Sequence, residues 1–211
     1  MDVVIVDENE INVTLLRHLV KAIEDTKAIT FTDSAAGLQY CLDNDPDLVV
    51  IDYMMPPPDG MAFIQAFRAH PGRKNTPLLM ITANQDTEVR HRALTLGASD
   101  FLTKPVDKNE FRARATNMLL LRKSQKQLAD RAAWLAEEVA KATNEVLVRE
   151  RETIIRLSKA AEYRDPETGA HILCMANYSQ IIARNLGHSE AEQTLLLDAA
   201  PMHDIGKVGT P

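Results

Sequence analysis

The stretch Leu48-Val49-Val50-Ile51-Asp52-Tyr53-Met54-Met55-Pro56-Pro57-Pro58-Asp59-Gly60 decides the fold. Its apolar run is too short for a helix and rich in β-branched residues, so it reads as a strand buried on both faces. The run ends in a carboxylate, Asp52, and a Pro/Gly-rich turn follows at once. Open α/β sheets place their ligands at the carboxyl ends of strands, which is where Asp52 then stands. A second strand with the same ending opens the chain, Val3-Val4-Ile5-Val6-Asp7-Glu8. Asp7, Glu8 and Asp52 in one pocket would repel one another, an arrangement that persists if a divalent cation sits among them.

Outward from these two strands, apolar runs and amphipathic helical patterns alternate from Met1 to about Leu121. Strands are expected at Val3–Val6, Ala28–Thr32, Leu48–Ile51, Leu78–Thr82 and Asp100–Thr103. Helices are expected at Ile11–Ile23, Ala35–Leu42, Met61–Ala69 and Glu88–Leu96. Breakers at Pro46, Gly60, Pro71-Gly72, Pro77 and Gly97 separate them. Such alternation predicts an α/β fold, a doubly wound five-stranded parallel sheet with right-handed crossovers. The sheet would bring two more polar groups to the rim of Asp52: the Thr82 hydroxyl and the Lys104 ammonium, the latter followed by Pro105. That set suits phosphoryl transfer to a carboxylate. Asp52 would attack phosphorus, Thr82 and Lys104 would bind the phosphoryl oxygens, and Asp7, Glu8 and Asp52 would hold the cation.

Composition narrows the function classes. The 211 residues carry a net charge of −6, which argues against a general nucleic-acid surface and hence against direct DNA binding. Cys41 and Cys174 lie far apart with neither pairing nor metal spacing, as expected of reduced thiols in a cytoplasmic protein. The N-terminus has no signal-peptide pattern, and no apolar run approaches the ~18 residues that would insert in a membrane.

Residues 1–121 resemble a response-regulator receiver domain. The marks are Asp7-Glu8, Asp52-Tyr53-Met54-Met55-Pro56 with Asp59-Gly60, Thr82-Ala83, Gly97-Ala98-Ser99-Asp100-Phe101 and Lys104-Pro105. The resemblance implies a flavodoxin-like fold and Mg²⁺-dependent phosphorylation of Asp52 by a sensor histidine kinase. It further implies a backbone ligand to Mg²⁺ from Met54, a switch formed by Thr82 and Phe101, and a cis Lys104-Pro105 bond. The triple proline at 56–58 departs from the family pattern and stiffens the loop beside Asp52.

Beyond Asp107 the breakers vanish: no Pro or Gly occurs from Val106 to Asp165. Met118, Leu121, Gln125, Leu128, Ala132, Leu135, Val139, Ala142 and Val146 alternate three and four apart, a heptad seam with one polar position. Near Arg149 the frame slips by one residue to Ile154, Leu157 and Ala161. Residues 122–160 are therefore expected to form a long coiled-coil helix that pairs in a parallel homodimer, a helix folded back onto its own domains being the other arrangement.

Residues 161–211 carry a second set of polar residues. Asp165-Pro166-Glu167 opens a helix as N-cap, first-position proline and first-turn acid. Glu167 and His171, four apart, share a face suited to two ligands of one metal. Leu186-Gly187 closes that helix, and Ser189 with Glu192 forms a capping box before the next. Adjacent His203 and Asp204 add imidazole and carboxylate, a mixture that suits Fe or Mn better than a closed zinc site. Tyr163 to His171 followed by His203-Asp204-Ile205-Gly206-Lys207-Val208-Gly209 resembles the opening of an HD-GYP domain, and the whole layout resembles RpfG-type response regulators. The resemblance implies hydrolysis of cyclic di-GMP in an all-α bundle holding two or three Fe or Mn ions. Glu167, His171, His203 and Asp204 would be ligands, and Lys207 would face the substrate phosphate. Cys174 stands where a basic residue is usual. The Gly-Tyr-Pro motif and the remaining ligands of such domains lie beyond Pro211, so the HD-type region is expected to be incomplete and inactive by itself. A non-enzymatic phospho-switch adaptor that acts through the coiled coil is the alternative.

Overall fold

The computed structural model describes residues 1–83, 87–162, 170–203 and 205–206. It divides into two compact units, Met1–Arg131 and Ala132–Pro211. In the first, the apolar runs form β1 (Asp2–Val6), β2 (Lys27–Phe31), β3 (Leu48–Asp52), β4 (Leu78–Thr82) and β5 (Asp100–Thr103). All pair in parallel, in the order β2-β1-β3-β4-β5. β1 thus lies between β2 and β3, with Val6 opposite both Phe31 and Ile51. Chain order reverses across this seam, and the carboxyl ends of β1 and β3 form the crevice at which doubly wound sheets bind ligands.

Both faces of the sheet are covered, which is why the strands read as unbroken apolar runs. Val4, Val6, Val49, Ile51, Leu78 and Met80 pack with Cys41, Phe63, Ile64, Phe67 and Ala93. These come from α2 (Ser34–Asp43), α3 (Gly60–Ala69) and α4 (Thr87–Leu96). The interleaved Val3, Ile5, Leu48, Val50, Leu79, Ile81 and Leu102 pack with Leu16 and Val20 of α1 (Glu10–Lys21). Phe111, Ala115 and Leu119 of α5 (Lys108–Glu162) complete that side. Each fully buried Val, Leu, Ile or Phe contributes about 1.5–3 kcal/mol relative to exposure.

Side-chain caps fix the helix starts. Asn9 accepts from the Ile11 N–H, Asp33 from those of Ala35 and Ala36, and Asp59 from that of Ala62. Gly97, at φ 110, ends α4 by turning its own N–H to Leu94 O and that of Ala98 to Ala93 O. Strand β2 starts one residue before its expected position because pairing with β1 begins at Asp2 and Lys27. Helix α1 stops at Lys21 rather than Ile23, whose N–H turns back to Val20 O.

Helix α5 remains tied to this unit past its last core residue, Leu119. Arg122 Nη2 lies 2.7 Å from Asp45 Oδ1, while Lys126 Nζ lies 2.9 Å from Asp45 Oδ2 and 2.7 Å from Asp47 Oδ1. Further along, Leu128, Leu135, Val139 and Val146 of the heptad seam are exposed.

The second unit consists of the C-terminal turns of α5, α6 (Ala170–Asn185), α7 (Glu190–Ala199) and a 3₁₀ turn at Ala200–Met202. Ile172, Ala176, Ala183 and Pro201 are buried. Gly187, at φ 82, closes α6: the N–H groups of Gly187 and His188 donate to Arg184 O and Ala183 O. Ser189 and Glu192 form the reciprocal capping box of α7 that the sequence announces. The start of α6 expected at Asp165-Pro166-Glu167 lies outside the described residues. Among the described residues no helix is long and apolar enough to cross a membrane.

Candidate functional site

Parallel strands deliver their last residues to one edge, and here that edge collects Asp7 after β1, Asp52 on β3, Thr82 on β4 and Lys104 after β5. Asp7 and Asp52 are only 1% and 5% exposed. Lys104 Nζ stands 3.2 Å from Asp7 Oδ2 and 2.7 Å from Asp52 Oδ1. The lysine is aimed there because its backbone N–H continues the ladder, donating to Thr82 O at 2.8 Å. The Lys104-Pro105 bond that follows is cis, as the resemblance implies.

Asp7 is also held from the α1 side. Its Oδ1 accepts from the Asn9 N–H at 2.9 Å, and Asn12 Nδ2 donates to Oδ1 at 3.1 Å and Oδ2 at 2.9 Å. The loop after Asp52 is fastened at both ends. Gly60 donates its N–H to Tyr53 O, and the buried Ser34 hydroxyl donates to Pro56 O at 2.9 Å. Only glycine fits at position 60, since a Cβ would lie 2.7 Å from Asp52 O and 2.8 Å from Tyr53 Cα. Glu8, unlike Asp7, is exposed, and with Tyr53, Met54, Met55 and Asp59 it lines an open depression beside the buried acids. Thr82 is fully buried, and Phe101 is half-buried with the Arg90 guanidinium 5.3 Å from its ring centroid.

The electrostatics follow from burial and pairing. Burial pushes the Asp52 carboxyl above its ordinary value; the Lys104 hydrogen bond opposes this, and the Asp7 charge adds to it. Burial alone would depress the Lys104 ammonium, but hydrogen bonds and charge from Asp52, then Asp7, outweigh it and hold it above its ordinary value. Two carboxylates thus face one ammonium, leaving a net negative charge on oxygen donors. That donor set fits a hard divalent cation such as Mg²⁺.

In the second unit, the rings of His171 and His203 come within 6.3 Å of each other, edge to face. Glu167, Asp204 and Lys207 lie outside the described residues. Among the described residues of either unit no group of three or more His, Cys, Asp or Glu comes together to hold a metal: the receiver edge joins Asp7 and Asp52 but leaves Glu8 apart from them. Cys174 is exposed.

Sequence reasoning passed over Asn12, Ser34 and the acids Asp45 and Asp47. Asn12 left a usable signal, an amide in the first turn of a helix whose cap, Asn9, stands two residues after Asp7. The others had none, because their partners are distant in sequence.

Comparison with known proteins agrees with this geometry. Residues 3–116 match the response regulator receiver domain family. The chain is 38% identical over its whole length to the cyclic di-GMP phosphodiesterase response regulator RpfG of Xanthomonas campestris pv. campestris, of which it covers 56%. It is 30% identical to a cyclic di-GMP phosphodiesterase of Thermotoga maritima, over 81% of the chain and 48% of that protein. The chain therefore spans about half the length of these curated relatives. Its fold matches the Francisella response regulator 1452 receiver domain with a TM-score of 0.52 and 26% identity, over 59% of this chain and 98% of that one. The chain belongs to the response regulator receiver domain family.

Proposed function

We propose that this chain is the phosphoacceptor part of a two-component response regulator that accepts a phosphoryl group on Asp52 from a sensor histidine kinase. The observation that carries this reading is the Lys104 ammonium bridging Asp7 and Asp52 at the edge where β1, β3 and β5 end. An Asp52 carboxylate oxygen attacks phosphorus, the bond from phosphorus to the donor breaks, and an acyl phosphate forms. Lys104 and the Thr82 hydroxyl take the phosphoryl oxygens. Bound Mg²⁺, held by Asp7, Glu8, Asp52 and the Met54 carbonyl, would neutralise charge on the transferring group. Thr82 and Phe101 would form the switch that reports the phosphoryl group.

The proposed organisation is a receiver at residues 1–121, a dimerising coiled-coil linker at 122–160 and, at 161–211, the start of an HD-GYP region acting on cyclic di-GMP. The similarity to two cyclic di-GMP phosphodiesterases supports this. Glu167, His171, His203 and Asp204 are the proposed Fe or Mn ligands there, with Lys207 toward substrate phosphate. The exposed seam Leu128, Leu135, Val139 and Val146 favours a second reading, a non-catalytic phospho-switch that docks or dimerises through α5.

Acetyl phosphate with Mg²⁺ tests the receiver reading. Intact-mass analysis should show one phosphoryl group on the wild type and none on Asp52→Asn; equal labelling of both would refute it. Turnover of cyclic di-GMP by a chain extended through the length of the relatives separates the enzymatic output from the adaptor.

A further inference from the structure

We infer that Asn12 is a positioning residue for the cation site: its carboxamide holds Asp7 in the orientation in which that carboxylate meets Asp52 and Lys104. The inference rests on the reading that Asp7 and Asp52 hold a divalent cation. An ionised carboxylate only accepts hydrogen bonds, so the Asn12 atom touching it is the amide nitrogen. That nitrogen lies 3.1 Å from Oδ1 and 2.9 Å from Oδ2 of Asp7, and the Asn9 N–H meets Oδ1 at 2.9 Å. Both Asp7 oxygens are thus engaged from the α1 side, while Lys104 Nζ approaches Oδ2 from the side of Asp52.

These donors have different effects. Lys104 is a compact charge on a flexible stem shared between two acids; it fixes charge without fixing the carboxylate plane. Asn12 grips both oxygens of one carboxylate, and rotation of that group would break at least one of its bonds. It stands on α1, whose start is fixed by the Asn9 cap and whose body is anchored by the buried Val13, Leu16 and Val20. The amide is also neutral. A lysine or arginine at this position would hold Asp7 equally well but cancel the negative charge that a cation needs. Asn12 therefore orients Asp7 and leaves the net charge of the site intact. Groups that orient metal-binding side chains in this way typically change metal affinity by about 10–100-fold when removed.

The test uses the full chain and MgCl2 alone, read by titration calorimetry and by the Mg²⁺-induced rise in Tm. Asn12→Leu keeps roughly the shape of the side chain and removes both donors; Asn12→Ala removes them without filling the space. Both should bind Mg²⁺ about tenfold more weakly than the wild type, with a smaller Mg²⁺-induced rise in Tm. Their Tm without Mg²⁺ should also fall, because the buried Asp7 carboxylate loses its amide partner, so the Mg²⁺ affinity itself is the deciding readout. Asn12→Gln, which retains an amide donor, should recover most of the affinity. Equal Mg²⁺ affinity in wild type, Asn12→Leu and Asn12→Ala would overturn the inference and leave the cation reading standing. Loss in Asn12→Gln as large as in Asn12→Leu would overturn it too, because shape and not donation would then be at issue. Failure of the wild type itself to take up Mg²⁺ would overturn the cation reading, and the inference with it.

Discussion

Lys104, which follows β5, reaches across the end of β4 to place Nζ 2.7 Å from Oδ1 of Asp52 on β3. The same ammonium is 3.2 Å from Oδ2 of Asp7 after β1, so one cation links the ends of three strands. Its folded-state value is held above the ordinary 10.5 by the two acids. Stability from this pairing is therefore complete below 10.5 and is lost as pH rises through the elevated value.

Replacing Lys104 by Met should leave two buried carboxylates facing each other with no ammonium between them. Phosphorylation of Asp52 by acetyl phosphate should slow by about 10²-fold, the scale on which a preorganised electrostatic stabiliser acts. Unfolding midpoints in urea should fall at neutral pH and recover on acidification as one acid takes a proton, and added Mg²⁺ should restore part of the loss. A variant with unchanged phosphorylation would remove Lys104 from the chemistry.

Asp52→Asn should raise Tm at neutral pH. Burial and the Asp7 charge lift the folded-state value of Asp52 above 3.8, so its stabilising contribution belongs to low pH, below 3.8, and is lost as pH rises through the lifted value. At pH 7 the ionised side chain is a burden that the amide lacks. The Tm advantage of Asp52→Asn should shrink as pH falls and vanish below the ordinary carboxyl value. Thermal melts from pH 3 to 8 test this, and a constant difference across the range would contradict it.

Much of the receiver site was readable from the chain. The short apolar runs ending in Asp7, Asp52 and Thr82 marked strands, and parallel pairing alone brings such ends to one edge. Lys104 followed because Pro105 stops β5 directly after it. Glu8 shows the limit of that reasoning: adjacent strand-end residues point in different directions, so Asp7 is buried and Glu8 is exposed. The caps Ser189 and Glu192 were legible because their spacing is local. Arg122 and Lys126 on Asp45 and Asp47 depend on how a whole helix packs, which periodicity does not encode.

Gly60→Ala should be destabilising despite alanine's better helix propensity. The added Cβ would lie 2.7 Å from Asp52 O and 2.8 Å from Tyr53 Cα, both backbone atoms with no side-chain freedom to yield. Overpacking of this kind typically costs about 1–3 kcal/mol. The displaced backbone is that of Asp52, the proposed phosphoacceptor, so its labelling should slow in the same variant. Chemical denaturation paired with labelling rates checks both.

Asp45→Asn with Asp47→Asn should release the stretch of α5 around Arg122 and Lys126 without unfolding the sheet. Lys126 meets both acids, and Arg122 and Arg73 meet Asp45. Burial raises Asp47, but Lys126 and the Asp2 N–H outweigh it and hold its carboxyl below 3.8. The contribution of Asp47 is thus present above 3.8 and lost as pH falls through the depressed value. Amide exchange over residues 120–131 should quicken in the double variant at neutral pH, while β1, β3 and β4 stay protected. Unchanged exchange there would show that Phe111, Ala115 and Leu119 suffice to hold the helix.

The seam of α5 carries the last prediction. Leu128, Leu135, Val139 and Val146 are 69%, 49%, 64% and 52% exposed, spaced seven, four and seven residues apart on one helix. An isolated helix gains little from propensity and depends on burying an apolar face, so a seam of this spacing calls for a second helix. A second copy of the chain supplies the same seam in the same register. Sedimentation should therefore give twice the 23.5 kDa of a single chain. Leu128→Glu with Leu135→Glu places like charges at two facing positions and should return the protein to 23.5 kDa with its receiver still able to label Asp52. A wild type that sediments as a single chain at micromolar concentration would mean that something other than a second copy covers this face.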